Sequence, residues 1–165
     1  MLQVLQVVTL MLVAVTMALA LAHALEYPGK MRLSEQEYLA TQAIYYPGFT
    51  LGGIAEGVSV IALGALAFLT RGSGATFWLT LAAFLAISAL HLVYWVLTHP
   101  VNNFWLKDMK MNRPGNRFFG LSPAPRSGAP EPEWTQLRDQ WERSHLIRAV
   151  LGVVGLLLLT ISLVI

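Results

Sequence analysis

The sequence predicts an all-α integral membrane protein: a four-helix bundle with a short interfacial helix in its first connection and a long third connection. Three observations carry this prediction. The chain has 165 residues, of which 56% are hydrophobic and only 12% charged, with a mean hydropathy of +0.58, too apolar for a soluble domain of this size. Four apolar stretches, roughly 2–25, 49–70, 75–98 and 146–165, each approach the ~20 residues that cross a bilayer core. None of them shows the alternation of a transmembrane barrel, and backbone groups in lipid must be satisfied within the segment, so the stretches are helices. A single four-span domain over 1–165 follows.

The first span opens almost at Met1. Its Ala20-Leu-Ala22-His-Ala24 has the small-residue look of a signal-peptidase site, but there is no basic region before it and the apolar run is about twice the length of a signal core, so a retained helix is expected. It should end near Glu26, because Tyr27 precedes Pro28 and the residue before a proline is pushed out of helical geometry. His23 and Glu26 share a face at this end, where an interfacial pair reaching toward headgroups is one reading. In the first connection Ser34-Glu35-Gln36-Glu37 reads as a capping box opening a helix over about 35–45. Its tyrosines suit a membrane surface.

Tyr45-Tyr-Pro-Gly-Phe49 turns the chain into the second span, where Gly52, Gly53, Gly57 and Gly64 permit close helix contact and Gly53 and Gly57 form a small-xxx-small face. Glu56 lies about two turns inside. A lone carboxylate at that depth must be protonated, paired, bound to metal or hydrogen-bonded to a neighbouring helix. Arg71-Gly-Ser-Gly74 is a tight turn, so the second and third spans form an antiparallel hairpin. Glu56 and His91 then lie roughly 10 Å below the same surface at 1.5 Å rise per residue, and they should meet.

The third span carries His91, Tyr94 and Thr98 in one helical sector, a polar stripe that belongs inside a bundle. Asn112-Arg-Pro-Gly115 and the proline-rich 122–130 mark the long third connection as irregular. A helix beginning at Glu131-Pro-Glu-Trp134 should run without interruption into the fourth span. Along it Trp134, Arg138, Trp141, His145 and Arg148 form a seam that reads either as an interfacial belt or as the wall of a pocket between spans three and four.

Several classes of chemistry are excluded. There are no cysteines, which removes disulfides, thiolate nucleophiles and iron-sulfur or thiolate metal sites. A net charge of +2, with the basic residues spread among acids, gives no nucleic-acid footprint. Phosphate-cradling glycine motifs and a Ser-His-Asp arrangement are not evident. The basic residues Lys30, Arg32, Lys107, Lys110, Arg113, Arg117, Arg126, Arg138 and Arg143 fall in the first and third connections, against Arg71 alone on the other side. By the positive-inside rule both termini are extracytoplasmic.

Two function classes follow from the residues. In the first, an oxidoreductase acts on a flat, lipophilic phenol- or quinone-like molecule from the bilayer. His91 or His145 removes a phenolic proton, Arg148 and Asn102 stabilise the oxyanion, and Tyr94, Trp95, Trp105 and Trp141 line an aromatic slot. A variant places a haem or a transition metal between the histidines, with His23, Glu56 and His91 as ligands, although no tight His-x-x-x-His pair exists. In the second class the chain is a non-catalytic subunit, packing on itself or on a larger membrane complex through its glycine faces.

Leu25-Glu-Tyr-Pro-Gly-Lys30, Tyr45-Tyr-Pro-Gly-Phe49, Thr98-His-Pro-Val-Asn102 and Trp141-Glu-Arg-Ser-His145-Leu-Ile-Arg148 on four spans resemble the DUF1772, or anthrone oxygenase-like, family over nearly the whole chain. The Thr98 to Asn102 and Trp141 to Arg148 segments match its His-Pro-x-Asn and Trp-x-x-x-His-x-x-Arg elements. The resemblance implies a four-helix membrane protein. It further implies, as for some fungal members, oxidation of anthrones to anthraquinones with dioxygen and no evident cofactor. The long Tyr-rich first connection resembles the bacterial branch, implying an inner-membrane location.

Overall fold

The structure, a computed structural model, describes residues 1–45, 48–105 and 133–165. The Tyr46-Pro47 part of the turn into the second span, and the irregular segments at 112–115 and 122–130, lie outside the described residues. The elements are α1 (Leu2–Lys30), α2 (Glu35–Tyr45), α3 (Gly48–Leu69), α4 (Ala75–Val93), a π-helical turn (Tyr94–Thr98), α5 (His99–Trp105) and α6 (Trp134–Val164). Four segments are long and apolar enough to cross a membrane: Leu2–Lys30, Gly48–Leu69, Ala75–Asn102 and Trp134–Val164. Helix α1 packs on α3 and α6, and α4 packs on the same two. This is an up-and-down bundle in which α3 and α6 face each other across one diagonal.

The bundle has two unlike halves. At the end holding the chain termini, Val13, Leu63, Leu66, Ala83, Ile87, Leu90 and Leu159 form an apolar core. Toward the other end polar side chains replace it, and α2 covers them with its Tyr38, Gln42 and Tyr45 face, all buried. The predicted capping box opens α2: the Ser34 hydroxyl donates to Glu37 Oε2 at 2.6 Å and the Ser34 backbone N–H donates at 2.9 Å. These bonds hold the Glu37 carboxyl below its ordinary range.

Three expectations about the helices are corrected. Helix α1 does not stop at Glu26 but carries Pro28 inside it and ends at Lys30. An interior proline costs about 3 kcal/mol, and here the extra turn delivers Lys30 to a buried position among two carboxylates and two aromatic rings. The third span does not end at Thr98 either. Pro100 would press on a carbonyl one turn earlier, and the π turn, with His99 N–H bonded to the Tyr94 carbonyl, changes register so that the helix passes the proline. The Gln140 side chain donates to the Leu97 carbonyl within this turn, at 3.1 Å.

Third, Gly57 is not a close helix contact. A β-carbon at Gly57 would meet nothing within 4 Å, whereas one at Gly52 would collide with Leu19. On α6, a β-carbon at Gly152 would lie 3.2 Å from Cα of Met17, and one at Gly155 would lie 2.7 Å from Ile87 Cδ1. Gly155→Leu is therefore expected to destabilise the bundle by at least about 1–3 kcal/mol through overpacking. Gly57→Ala should leave stability unchanged or raise it by about 0.5–1 kcal/mol. Thermal unfolding in one detergent orders the two, and equal melting temperatures would contradict the packing described.

Candidate functional site: a polar cavity beneath helix α2

Glu56 is 3% exposed and sits where α3 faces the interior, with both carboxylate oxygens engaged. Arg148 of α6 donates through Nη2 to Oε2 at 2.6 Å across the bundle diagonal, and His91 Nδ1 meets Oε1 at 2.9 Å. The expected Glu56–His91 meeting is thus present, with an arginine completing it. Partner chemistry assigns every proton along this chain. The Trp95 indole only donates, so His91 Nε2 accepts from it at 2.9 Å and Nδ1 carries the hydrogen given to Glu56. Arg148 only donates, so His145 Nε2, 3.3 Å from Nη1, presents a lone pair. His145 Nδ1–H then donates to the Trp141 carbonyl at 2.9 Å. The Trp141 indole donates to Asn102 Oδ1 at 2.9 Å, which leaves the Asn102 amide nitrogen as a donor. The Arg148 guanidinium lies 5.2 Å from the Tyr94 ring centre.

Several of these groups wall a cavity to which α1, α2, α3, the π turn, α5 and α6 contribute, so it is central to the bundle and not confined between spans three and four. Its lining includes Tyr94, Asn102, Trp105, Trp141, His145 and Arg148, as well as His23 and Glu56. The centre of a water molecule has ≈ 50 Å³ to move in inside this cavity. His91 and Trp95 do not line it. Trp95 is 43% exposed and turns outward, whereas Tyr94 and Thr98 line the cavity. Thr98 is fixed there by Ser144, Oγ to Oγ 2.8 Å.

In the cluster around His23 the sequence singled out His23 and Glu26 but gave Lys30 and Glu142 no part. His23 is not an interfacial residue reaching for headgroups: it is 4% exposed, packed between the rings of Phe49, Tyr45, Trp141 and His145, the last 4.2 Å away. Above it Lys30 Nζ lies 2.8 Å from Glu26 Oε2, 3.7 Å from Glu142 Oε1 and 3.3 Å from His23 Nδ1. Helix α2 is tied to the same cluster, since Tyr38 donates to Glu142 at 2.9 Å and Tyr45 to Glu26 at 2.7 Å. Spacing alone could have found Lys30, four residues after Glu26 and seven after His23, had the helix been carried past Pro28. The seam on α6 divides: Trp141, His145 and Arg148 are buried, while Arg138 pairs with Asp139 and stacks on Trp134.

Burial, followed by the bonds and charges of their carboxylate partners, raises the phenols of Tyr38 and Tyr45 above their ordinary value of 10.0. Because the folded state keeps these protons longer than the unfolded chain does, their contribution is intact below about pH 10 and is lost as pH rises beyond it. Alkaline melts should therefore show stability falling above pH 10, with a shallower slope in Tyr38→Phe and Tyr45→Phe. An unchanged slope would contradict this.

Among the described residues no group of three or more histidines and acids is placed to hold a metal ion. His23, Glu56 and His91 are not brought together as ligands, because both oxygens of Glu56 and both nitrogens of His91 are engaged and His23 Nδ1 faces an ammonium.

No curated protein and no solved structure matches this chain. The family described as Anthrone oxygenase matches residues 42–158, a segment that runs from the middle of α2 well into α6 and holds Glu56, the π turn, His145 and Arg148. On that match, which covers more than half of its length, the chain belongs to the anthrone oxygenase family.

Proposed function

We propose that this protein is a membrane-embedded oxygenase that acts on a lipophilic phenol- or quinone-like molecule, an anthrone being the type. One observation carries the reading: His145 Nε2 is unprotonated inside an aromatic cavity, where its lone pair accepts from the buried Arg148 guanidinium at 3.3 Å, a bond that an entering substrate would have to displace. A phenol or an activated C–H placed there loses its proton to His145. Arg148 and the Asn102 amide are positioned to hold the resulting oxyanion, a task for which a delocalised planar cation suits better than an ammonium. Tyr94, Trp105 and Trp141 line the slot that receives the ring. His91 acts behind the cavity wall, orienting Glu56, which in turn orients Arg148.

The test is turnover of anthrone by protein in lipid nanodiscs, read as dioxygen consumption together with the absorbance of anthraquinone. Neither turnover nor quenching of tryptophan fluorescence by anthrone would count against the reading. The open glycine face at Gly57 favours the accessory-subunit alternative, which predicts co-purification with a partner and no such turnover. The excess of basic residues in the first and third connections supports an orientation in an inner membrane with the α2 end of the bundle toward the cytoplasm and both termini outside. Reporter fusions at Ile165 that are active only in the cytoplasm would refute that orientation.

A further inference from the structure

His145 and His23 lie face to edge, 4.2 Å between ring centres, in the same cavity, yet their partners demand opposite tautomers. His145 gives its Nδ1–H to a carbonyl and keeps Nε2 as a lone pair. His23 Nδ1 lies 3.3 Å from the Lys30 ammonium, which can only donate, and farther, 3.7 Å, from Glu26. Its Nδ1 is therefore the acceptor and its hydrogen sits on Nε2, which has no hydrogen-bond partner among the described residues although His23 lines the cavity. One imidazole is prepared to take a proton and the other to give one. Lys30 can resupply the second, because Lys30 Nζ also contacts Glu26 Oε2 at 2.8 Å, on a side chain 45% exposed. His23 and Lys30 both lie outside the segment 42–158 matched by the family.

We infer that His23 is a second catalytic residue of this cavity, the proton donor to reduced dioxygen, and that Lys30 is the positioning residue that fixes its tautomer and refills it. The inference rests on the oxygenase reading above. A CH₂ group activated by the phenol loses one proton to His145 Nε2. The carbanion gives its electron pair to dioxygen, forming a C–O bond and leaving negative charge on the distal oxygen. His23 Nε2–H protonates that oxygen while Lys30 passes a proton to Nδ1, so the ring stays neutral and only its tautomer changes. In the last step the remaining C–H proton returns to His23 Nε2 and the Nδ1 proton returns to Lys30. The C–H electron pair becomes the C=O bond, the O–O bond breaks, and the departing hydroxide takes the proton from His145 as water. The sum is CH₂ plus O₂ giving C=O plus H₂O, with His145, His23 and Lys30 restored.

The experiment uses the full chain in nanodiscs with ¹⁵N-labelled histidine, the resonances being assigned with single His→Gln variants, and anthrone as probe. His23 is expected to show a protonated Nε2 and a bare Nδ1, and His145 the reverse. Lys30→Arg retains charge and donor but cannot release a proton at working pH. It should keep the His23 tautomer while turnover falls about 100-fold or more, the usual scale for a lost acid catalyst. Anaerobic exchange of the anthrone CH₂ with D₂O, which needs only His145, should stay near wild type in Lys30→Arg and in His23→Gln. A protonated Nδ1 on His23, or normal turnover in Lys30→Arg, overturns the relay alone. Absence of both exchange and turnover in the wild type overturns the oxygenase reading, and the relay with it.

Discussion

Glu56→Ala is expected to cost the bundle roughly 3–5 kcal/mol, the scale for removing one partner of a buried ion pair. The reason is specific to the diagonal. Arg148 is 8% exposed and gives its Nη2–H to Glu56 at 2.6 Å, so alanine leaves a guanidinium buried against an imidazole that can accept only one of its hydrogens. His91 Nδ1–H loses its acceptor in the same stroke. The double variant Glu56→Leu with Arg148→Met, which removes both charges, should recover much of the loss, because the penalty belongs to the uncompensated charge and not to the volume. Melting temperatures in detergent for the four corners of this cycle measure the coupling. Simple additivity of the two single substitutions would show that the pair does not act as a unit.

The second large effect concerns chemistry. His145→Gln keeps an acceptor within reach of Arg148 but removes the base, and anthrone turnover should fall by about 10²–10⁴-fold with the melting temperature little changed. Arg148→Lys is the companion. The guanidinium reaches Glu56 Oε2 and His145 Nε2 through two nitrogens held in one plane, at 2.6 and 3.3 Å. A single ammonium has no such fork, so lysine should preserve the charge and still lose most of the activity. Full turnover in either variant, with the fold intact, would sink the site as assigned here.

What the sequence by itself determined is the set of features that depend on local pattern. Four apolar stretches near 20 residues can satisfy their backbones in lipid only as helices, and α2 begins after Ser34 because a serine and a glutamate three residues apart satisfy its first N–H groups. The uninterrupted α6 was legible for the same reason. So was the pairing of Glu56 with His91, since depth along a helix is a matter of counting residues and a buried carboxylate needs a partner. Tertiary structure decided the rest. Local rules end α1 before Pro28 and the third span before Pro100. In the fold, burial of Lys30 among Glu26, Glu142 and the rings of Tyr45 and Trp141 accompanies the first proline, and a π turn carries the chain past the second. The regular helical period had already put Tyr94 and Thr98 on the inner face, but only the fold shows that His91 and Trp95 do not line the cavity. The opposite tautomers of His23 and His145 depend on groups 7 and 4 residues away in sequence and on Arg148, and on which of them can only donate. Such a property belongs to the assembled site, because a proton's place on an imidazole is set by its neighbours in space.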